Sequence, residues 1–311
     1  MIRINKTGYH GITLPDYGIG LDIASPERVE HTFISHAHAD HIPRDRSMEV
    51  YATGPTAAFM RQRGFAGTIR TLGFGEPMDL GHTNARVTLY PAGHILGSAM
   101  VFIETPQGNL LYTGDFKSPA SPTTEGFELP EAPVHQFITE ATFGLPIYKW
   151  EPAETLFEEI RRFATDALEQ GATPVFMAYN LGKAQEVMHA LAPLEHPMQI
   201  HGAGYPLCGI YEEFGFDLGT YEAYNRDTAE GKILITPSSG LSTGVASNIP
   251  NRRIAYCSGW AALESRRTQL TVDALIPLSD HIDFFGLIGL CERLRPRQVY
   301  LTHTPNPDVV I

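Results

Sequence analysis

Within the seven residues Ser35 to His41, S-H-A-H-A-D-H, the chain gathers three imidazoles and a carboxylate. That is more ligand capacity than a packed core or a solvated loop has use for, and the spacing is that of a metal site. The apolar run Thr32, Phe33, Ile34 just before it reads as a buried strand, so the four side chains are expected to leave a strand end and turn into a helix. A strand end is a rim, where catalysis is usually built. The competing reading is a helix start that carries histidines for no chemical reason.

Length and composition narrow what can surround such a site. A chain of 311 residues allows one large domain or two, with 43% hydrophobic and 19% charged residues, ordinary for a globular protein. No window is long and apolar enough for a membrane span, and Arg3 and Lys6 are not followed by the apolar stretch of a signal peptide, so the expected location is the cytoplasm. Cys208, Cys257 and Cys291 are far apart and never form a C-x-x-C pair, which leaves them as small buried hydrophobes. A formal charge of −12 argues against a general nucleic-acid coat, although two bound divalent cations would bring it to about −8 and reverse the field at the site itself.

From residue 2 to about 115 short apolar runs alternate with turn residues: 18–22, 32–34, 86–90, 99–104 and 109–113 read as strands, and Pro55 to Arg63 as a helix closed by Gly64. Residues 116–135 have loop composition, and a strand is expected at 136–139. Beyond Pro152 the texture changes. Leu156, Phe157, Ile160, Phe163, Ala164, Ala167 and Leu168 share a helical face, and strands at 174–178, 232–236 and 253–257 alternate with helices at 183–191 and 205–214, a βα pattern that predicts a parallel sheet. The chain closes with a strand from Ala274, a helix from about His281 to Arg293 and a strand from Gln298 to Thr302.

Two more residues at strand ends carry ligand chemistry. His94 lies in the Gly-rich P-A-G-H-I-L-G-S-A, and Asp115 ends the apolar run L-L-Y-T-G-D-F. Asp115 is placed to bridge two cations or simply to make an Asp turn or helix cap. In-line hydrolysis of a phosphodiester needs a metal-activated hydroxide, cations over the charged oxygens and an acid for the leaving alkoxide, and histidine has the right range for that last task.

The order H-x-H-x-D-H, then His94, then Asp115 resembles the metallo-β-lactamase fold, which implies an α/β (α+β) architecture: an αββα sandwich with two metals on the edge between its sheets. The resemblance implies His36, His38 and His94 on one ion, Asp40 and His41 on the other, Asp115 as the bridge, and Asp40 within the catalytic set. I-T-E-A-T-F-G-L-P-I-Y-K-W from Ile138, L-S-D-H-I-D-F from Leu278 and V-Y-L-T-H from Val299 are similar to the three added motifs of the β-CASP nucleases, in which a second domain is inserted. This implies a metallo-β-lactamase domain at 1–147 and 273–311 and an inserted β-CASP domain of parallel βα type at 148–272. It also implies that His303 completes the second metal shell and that His281, held by Glu140, protonates the leaving oxygen.

With Y-N-L-G-K-A-Q-E, I-H-G-A and C-S-G-W-A the whole chain resembles the bacterial exonucleases associated with an ATP-dependent DNA ligase. That implies a DNA exonuclease in repair or end processing that leaves 5′-phosphates and works near a ligase and a helicase. RNA processing and an inactive nucleic-acid-binding scaffold are the alternatives. Two zinc ions are the expected cofactors, with manganese or iron able to occupy the same shell. Substrate contacts are expected at Lys183, at Ser238 and Ser239 within the small-residue run that continues through Thr243 and Gly244, and at Arg252 and Arg253. Arg266 with Arg267 is a further basic pair. Tyr179, Trp260 and Phe143 read as core packing before base stacking. His303 is followed by T-P-N-P-D where the resemblance implies glycine and a closing helix, so either the C-terminus is trimmed or that helix is absent.

Overall fold

The computed structural model describes residues 1–7, 11–25, 28–242 and 249–304. The chain forms two compact units, one from Met1–Ile147 together with the chain from His281 onward, the other from Tyr148–Asp280. None of the described helices is long and apolar enough to cross a membrane.

The first unit holds two six-stranded sheets. One runs in sequence order through Asn5–Thr7, Gly11–Leu14, Ile19–Leu21, His31–Phe33, Val50–Ala52 and Ile69–Thr71, antiparallel at first and parallel from Ile19–Leu21 onward. The other is ordered Gln298–Thr302, Gln136–Glu140, Gly108–Tyr112, Ala99–Thr105, Arg86–Pro91 and Met78–Asp79. Alternation along Ala99–Thr105 shows why both faces of this sheet are buried. Ala99, Val101 and Ile103 pack with Leu14, Ile19, Leu21 and Phe33 of the first sheet. Met100 and Phe102 point the other way, toward Leu287 and Leu290 of the helix Phe284–Leu294. Successive strand residues face opposite sides, so a strand covered on both becomes a continuous apolar run. Each such fully buried side chain contributes roughly 1.5–3 kcal/mol before entropy is counted.

One long-range pairing sets up the site. The strand Gln298–Thr302 returns to lie parallel to Gln136–Glu140, with Glu140 opposite Thr302. Ala141 N then donates to Thr302 O at 3.0 Å, which brings His303 to the same sheet end as Glu140.

The second unit is an all-parallel six-stranded sheet in the order Tyr221–Ala223, Met198–Ile200, Ile233–Thr236, Thr173–Met177, Arg252–Cys257, Ala274–Ile276. Val175, Met177, Leu234 and Ile254 anchor one of its cores. The amphipathic helix Ala153–Glu169 buries Leu156, Phe157, Ile160, Phe163, Ala164 and Ala167, and the left-handed Gly171 follows its end.

Three local expectations are corrected. S-H-A-H-A-D-H does not enter a helix: a single turn forms, with His41 N and Ile42 N both donating to His38 O. Pro43 ends it, because it brings no N–H and disfavours helical geometry at Ile42. The last helix begins at Phe284 rather than at His281, because Asp283 is its N-cap, accepting from Gly286 N at 2.7 Å. The short strands Val50–Ala52, Ile69–Thr71, Met198–Ile200 and Tyr221–Ala223 were absent from the sequence reading, since three residues carry too little periodicity to register.

Candidate metal centre

The seven residues read as ligands come together at the strand ends of the first unit. His36, His38, His94 and Asp115 form one group of ligand atoms within 4.8 Å of one another, and Asp40, His41 and His303 form a second. His36 Nε2 is 3.1 Å and His94 Nε2 3.0 Å from the same atom, His38 Nδ1. An imidazole nitrogen has one in-plane lone pair, so two ring N–H donors on it make a poor hydrogen-bond arrangement. Three tetrahedral nitrogen ligands on a zinc ion stand about 3.3 Å apart. The convergence fits a shared cation better than mutual hydrogen bonding.

Asp115 lies between the groups. Its Oδ2 is 3.5 Å from both His36 Nε2 and His41 Nε2 and 3.9 Å from His94 Nε2, and its Oδ1 is 3.6 Å from His303 Nδ1. Oδ1 is buried and accepts no hydrogen bond among the described residues, an expensive condition for a carboxylate unless a cation completes it. The ring of His303 stacks on that of His41, centroids 4.9 Å apart. The first group is almost wholly buried, whereas the Asp40 side chain is 55% exposed, so the second group is the open one. Backbone geometry makes this packing possible. Gly114 has φ +55°, and a Cβ there would stand 2.5 Å from Ser35 Oγ, so only glycine lets the strand end carrying Asp115 approach the strand end carrying His36.

Electrostatics follow from this crowding. Burial, then the neighbouring His41, hold the His36 imidazole well below its ordinary pKa, leaving it in the neutral, ligating form. Burial pushes the Asp115 carboxyl up, but His41, His303 and His36 outweigh it and hold it well below the usual carboxylate range. At His41 burial works downward and is overcome by Asp115 and Asp22, which raise it.

Asp22 is a functional candidate missing from the sequence reading. It follows the strand Ile19–Leu21, is buried, and accepts from Ser35 N (2.7 Å), Ser35 Oγ (2.6 Å), Tyr112 Oη (2.7 Å) and His41 Nδ1 (2.7 Å). The last bond places the His41 proton on Nδ1 and directs Nε2 toward Asp115, the usual task of a carboxylate behind a ligating histidine. The signal was present: like Asp115, Asp22 is an acidic residue ending an apolar run.

Beside the ligands, Glu140 is fully buried and His281 Nδ1 meets both its oxygens, at 2.8 and 2.9 Å. Glu140 is itself held by Phe116 N (2.9 Å) and Thr142 Oγ1 (2.6 Å). Its carboxylate fixes the proton on Nδ1 of His281 and leaves Nε2 for chemistry, with the side chain 18% exposed. Phe143, buried, packs its ring 5.9 Å from that of His281.

The residues read as substrate contacts do not form one group. Lys183 and Ser238 with Ser239 follow the C-terminal ends of parallel strands, whereas Arg252 and Arg253 open a strand and pair with Thr173 and Pro174 at the other edge of the sheet. A five-residue strand separates those edges by roughly 15 Å. Arg252 donates to Ile249 O and Arg253 lies over the Phe163 ring at 5.1 Å, packing roles both. Lys183 is buried, 4% exposed, with Nζ 2.6 Å from Asp280 Oδ1, so its charge is already met inside the unit. Ser238 and Ser239 are exposed, while Thr243 and Gly244 lie outside the described residues. Of the aromatic candidates Tyr179 is 52% exposed, and Trp260 carries Arg266 over its ring.

Two sheets sharing one core, with two clusters of imidazole and carboxylate ligands at their strand ends, define a framework able to hold a pair of divalent ions. No family model matches the chain. Over 94% of its length it is 35% identical to a probable DNA ligase of Opitutus terrae, of which it spans 28%. It is 27% identical to an RNase J-like protein of Methanocaldococcus jannaschii, over 57% of this chain and 48% of that one. It is also 33% identical over 110 residues to cleavage and polyadenylation specificity factor subunit 3 of Dictyostelium discoideum, covering 34% of this chain and 14% of that protein. A solved protein of unknown function from Enterococcus faecalis shares the fold, with a TM-score of 0.61 at 16% identity over 93% of this chain and 79% of that one. By these similarities the chain resembles the β-CASP nucleases of the metallo-β-lactamase fold, and it spans less than half the length of each of these curated relatives.

Proposed function

We propose that the protein is a two-metal phosphodiesterase, a DNA exonuclease of end processing that leaves 5′-phosphates. His36, His38 and His94 would hold one ion, Asp40, His41 and His303 the other, with Asp115 between; zinc suits the imidazole-rich set, and manganese or iron would enter the same shell. Bound there, the two ions would activate a water and neutralise the phosphate oxygens. On this reading the unit of Met1–Ile147 with the chain from His281 onward is the metallo-β-lactamase domain and Tyr148–Asp280 the inserted β-CASP domain, the second boundary falling eight residues beyond the expected 273.

The observation that carries the reading is the His281–Glu140 pair beside the ligand clusters. Water oxygen attacks phosphorus and gives up a proton to solvent, the bond from phosphorus to the 3′-oxygen breaks, and His281 Nε2 delivers its proton to that oxygen; Glu140 stabilises the imidazolium that donates, and the neutral imidazole left behind is reprotonated from solvent.

DNA is favoured over RNA by the ligase-named relative, which matches nearly the whole chain, and a DNA ligase and a helicase are the expected neighbours in the pathway. RNA is the second reading, favoured by the RNase J-like relative and the cleavage factor. End-labelled single-stranded and duplex DNA and RNA of one sequence, digested under defined metals, separates them. Release of 5′-phosphorylated mononucleotides from DNA supports the proposal; faster turnover of RNA transfers it to the second reading, and no cleavage of either rejects both.

A further inference from the structure

The loop that carries His94 is held, within the first unit, by residues that the proposed chemistry does not use. It joins the strands Arg86–Pro91 and Ala99–Thr105. Inside it the N–H groups of His94 and Ile95 both donate to Ser98 Oγ, at 3.1 and 3.2 Å, and Ser98 N donates to Ile95 O at 2.9 Å. The loop is thus folded upon itself, and its placement depends on how it is tied to its surroundings.

Gly97 makes that tie. Its carbonyl accepts two hydroxyls, Thr53 Oγ1 at 2.6 Å and Thr56 Oγ1 at 2.8 Å, and its N–H meets both carboxylate oxygens of Glu125 at 3.0 Å. Thr53 is the N-cap of the helix Gly54–Gln62, accepting from Thr56 N at 3.3 Å, and Thr56 lies in the first turn; both threonines are buried. At φ +79° a Cβ on Gly97 would stand 2.7 Å from Thr56 N, so only glycine lets the loop sit against the helix start. A helix threonine ordinarily turns its hydroxyl to a carbonyl of its own preceding turn, and the cap needs Thr53 alone. Two hydroxyls on one carbonyl, with a carboxylate on the same residue's N–H, fix the orientation of the loop as well as its position.

The loop's other end is tied to the remaining ligands. Ala99 N donates to Ser35 O at 2.8 Å, and Ser35 directly precedes His36. His36 and His38 come from one segment and His94 from another, so the spacing of their nitrogens depends on how the two segments are held. A bound zinc tolerates only about 0.2 Å in its ligand distances.

We infer that Thr53 and Thr56, with Glu125, are positioning residues for the buried ion: through the Gly97 backbone they set where His94 stands relative to His36 and His38, and so the affinity of that ion alone. The inference rests on the proposed assignment of His36, His38 and His94 to one ion. The test is a calorimetric zinc titration of the full chain against a competing chelator, in which His94→Ala marks the binding event of the buried ion. Thr53→Val with Thr56→Val keeps the side-chain shape and removes both hydroxyls. It should weaken the marked event 10- to 100-fold, leave the other within about threefold, and be rescued by Thr53→Ser with Thr56→Ser. Thr56→Val and Glu125→Ala, which leave the Thr53 cap in place, should each weaken the same event by about 3- to 10-fold, and they carry the test if the double variant does not fold. Adding Thr56→Val to His94→Ala should change the remaining event no further.

Equal weakening of both events would overturn the inference. So would a lowered Tm of the metal-free variants with unchanged zinc affinity, which makes the threonines supports of the fold only. If the unaltered protein binds no pair of ions, or His94→Ala keeps both events, the ligand assignment fails and the inference with it. If His94→Ala loses one event while the threonine variants keep both at full affinity, only the inference fails.

Discussion

Replacing Asp22 by asparagine probes the scaffold behind the ligands while changing almost no volume. In the native protein this carboxylate accepts four hydrogen bonds between 2.6 and 2.7 Å. The amide keeps one oxygen, enough for Ser35 N, and turns an NH2 group toward the rest. The Ser35 hydroxyl can rotate to accept from it, with His36 Nδ1 at 3.0 Å as an alternative partner for its own hydrogen. Tyr112 Oη–H and His41 Nδ1–H have no such escape, both being fully buried beside a donor. A buried polar group left unmatched costs about 1–3 kcal/mol, so two cost roughly 2–6, and in a unit of this size each kcal/mol lowers Tm by about 2–4 °C. The metal-free variant should therefore melt on the order of 10 °C lower. A second effect is chemical. Were His41 instead to move its proton to Nε2, the nitrogen facing Asp115, it would match the asparagine donor and lower that cost toward the single-group figure, but it would lose a ligand lone pair. Loss of a carboxylate behind a metal-binding histidine typically costs 10- to 100-fold in affinity, and the second ion should show it. Differential scanning calorimetry of chelated protein and a zinc titration by isothermal calorimetry measure the two separately. Unchanged Tm together with two unchanged binding events would refute the role given to Asp22.

Three further outcomes follow from local geometry. Gly114→Ala forces φ +55° on a residue with a Cβ and places that carbon 2.5 Å from Ser35, so urea unfolding should show a loss of at least about 2 kcal/mol; an unshifted midpoint would contradict the close approach described there. Asp283→Ala removes the cap of the last helix and should cost about 1 kcal/mol in the same assay, with Asp283→Ser recovering most of it. Burial pushes the Cys208 thiol up to about 11 and raises Cys257 and Cys291 as well. All three thiols therefore stay protonated at pH 8, and a disulfide reagent should label native protein slowly, the half-buried Cys291 first. Rapid labelling of Cys208 in the folded state would count against its burial.

How much of this was legible in the sequence varied with how local the signal was. The ligands of S-H-A-H-A-D-H stand within six residues, so their chemistry shows in the spacing alone. The helix Lys183–Leu191 and the strand Gln298–Thr302 were readable to the residue, because each has a clear stop or start beside a periodic run. The turn after His38 does not continue into a helix because Pro43 brings no N–H, a signal two residues beyond the ligand run that the run itself does not carry. Asp22 was overlooked because its importance lies in a bond to His41, nineteen positions away, and in another to Tyr112, ninety away. The grouping of Arg252 and Arg253 with Lys183 ignored strand direction: in a parallel sheet, residues that open a strand and residues that follow one lie on opposite edges. The pairing of Glu140 with Thr302 spans the entire second unit, and no local pattern encodes it.

The central claim is that the ligand clusters bind metal while His281, beside them, supplies the proton. Metal content by plasma mass spectrometry and turnover on end-labelled DNA, measured on one preparation of His281→Ala, test it most directly. The account predicts two ions per chain, as in the unaltered protein, with turnover reduced by about 10²- to 10⁴-fold. Unreduced turnover, or loss of the ions along with the activity, would contradict it.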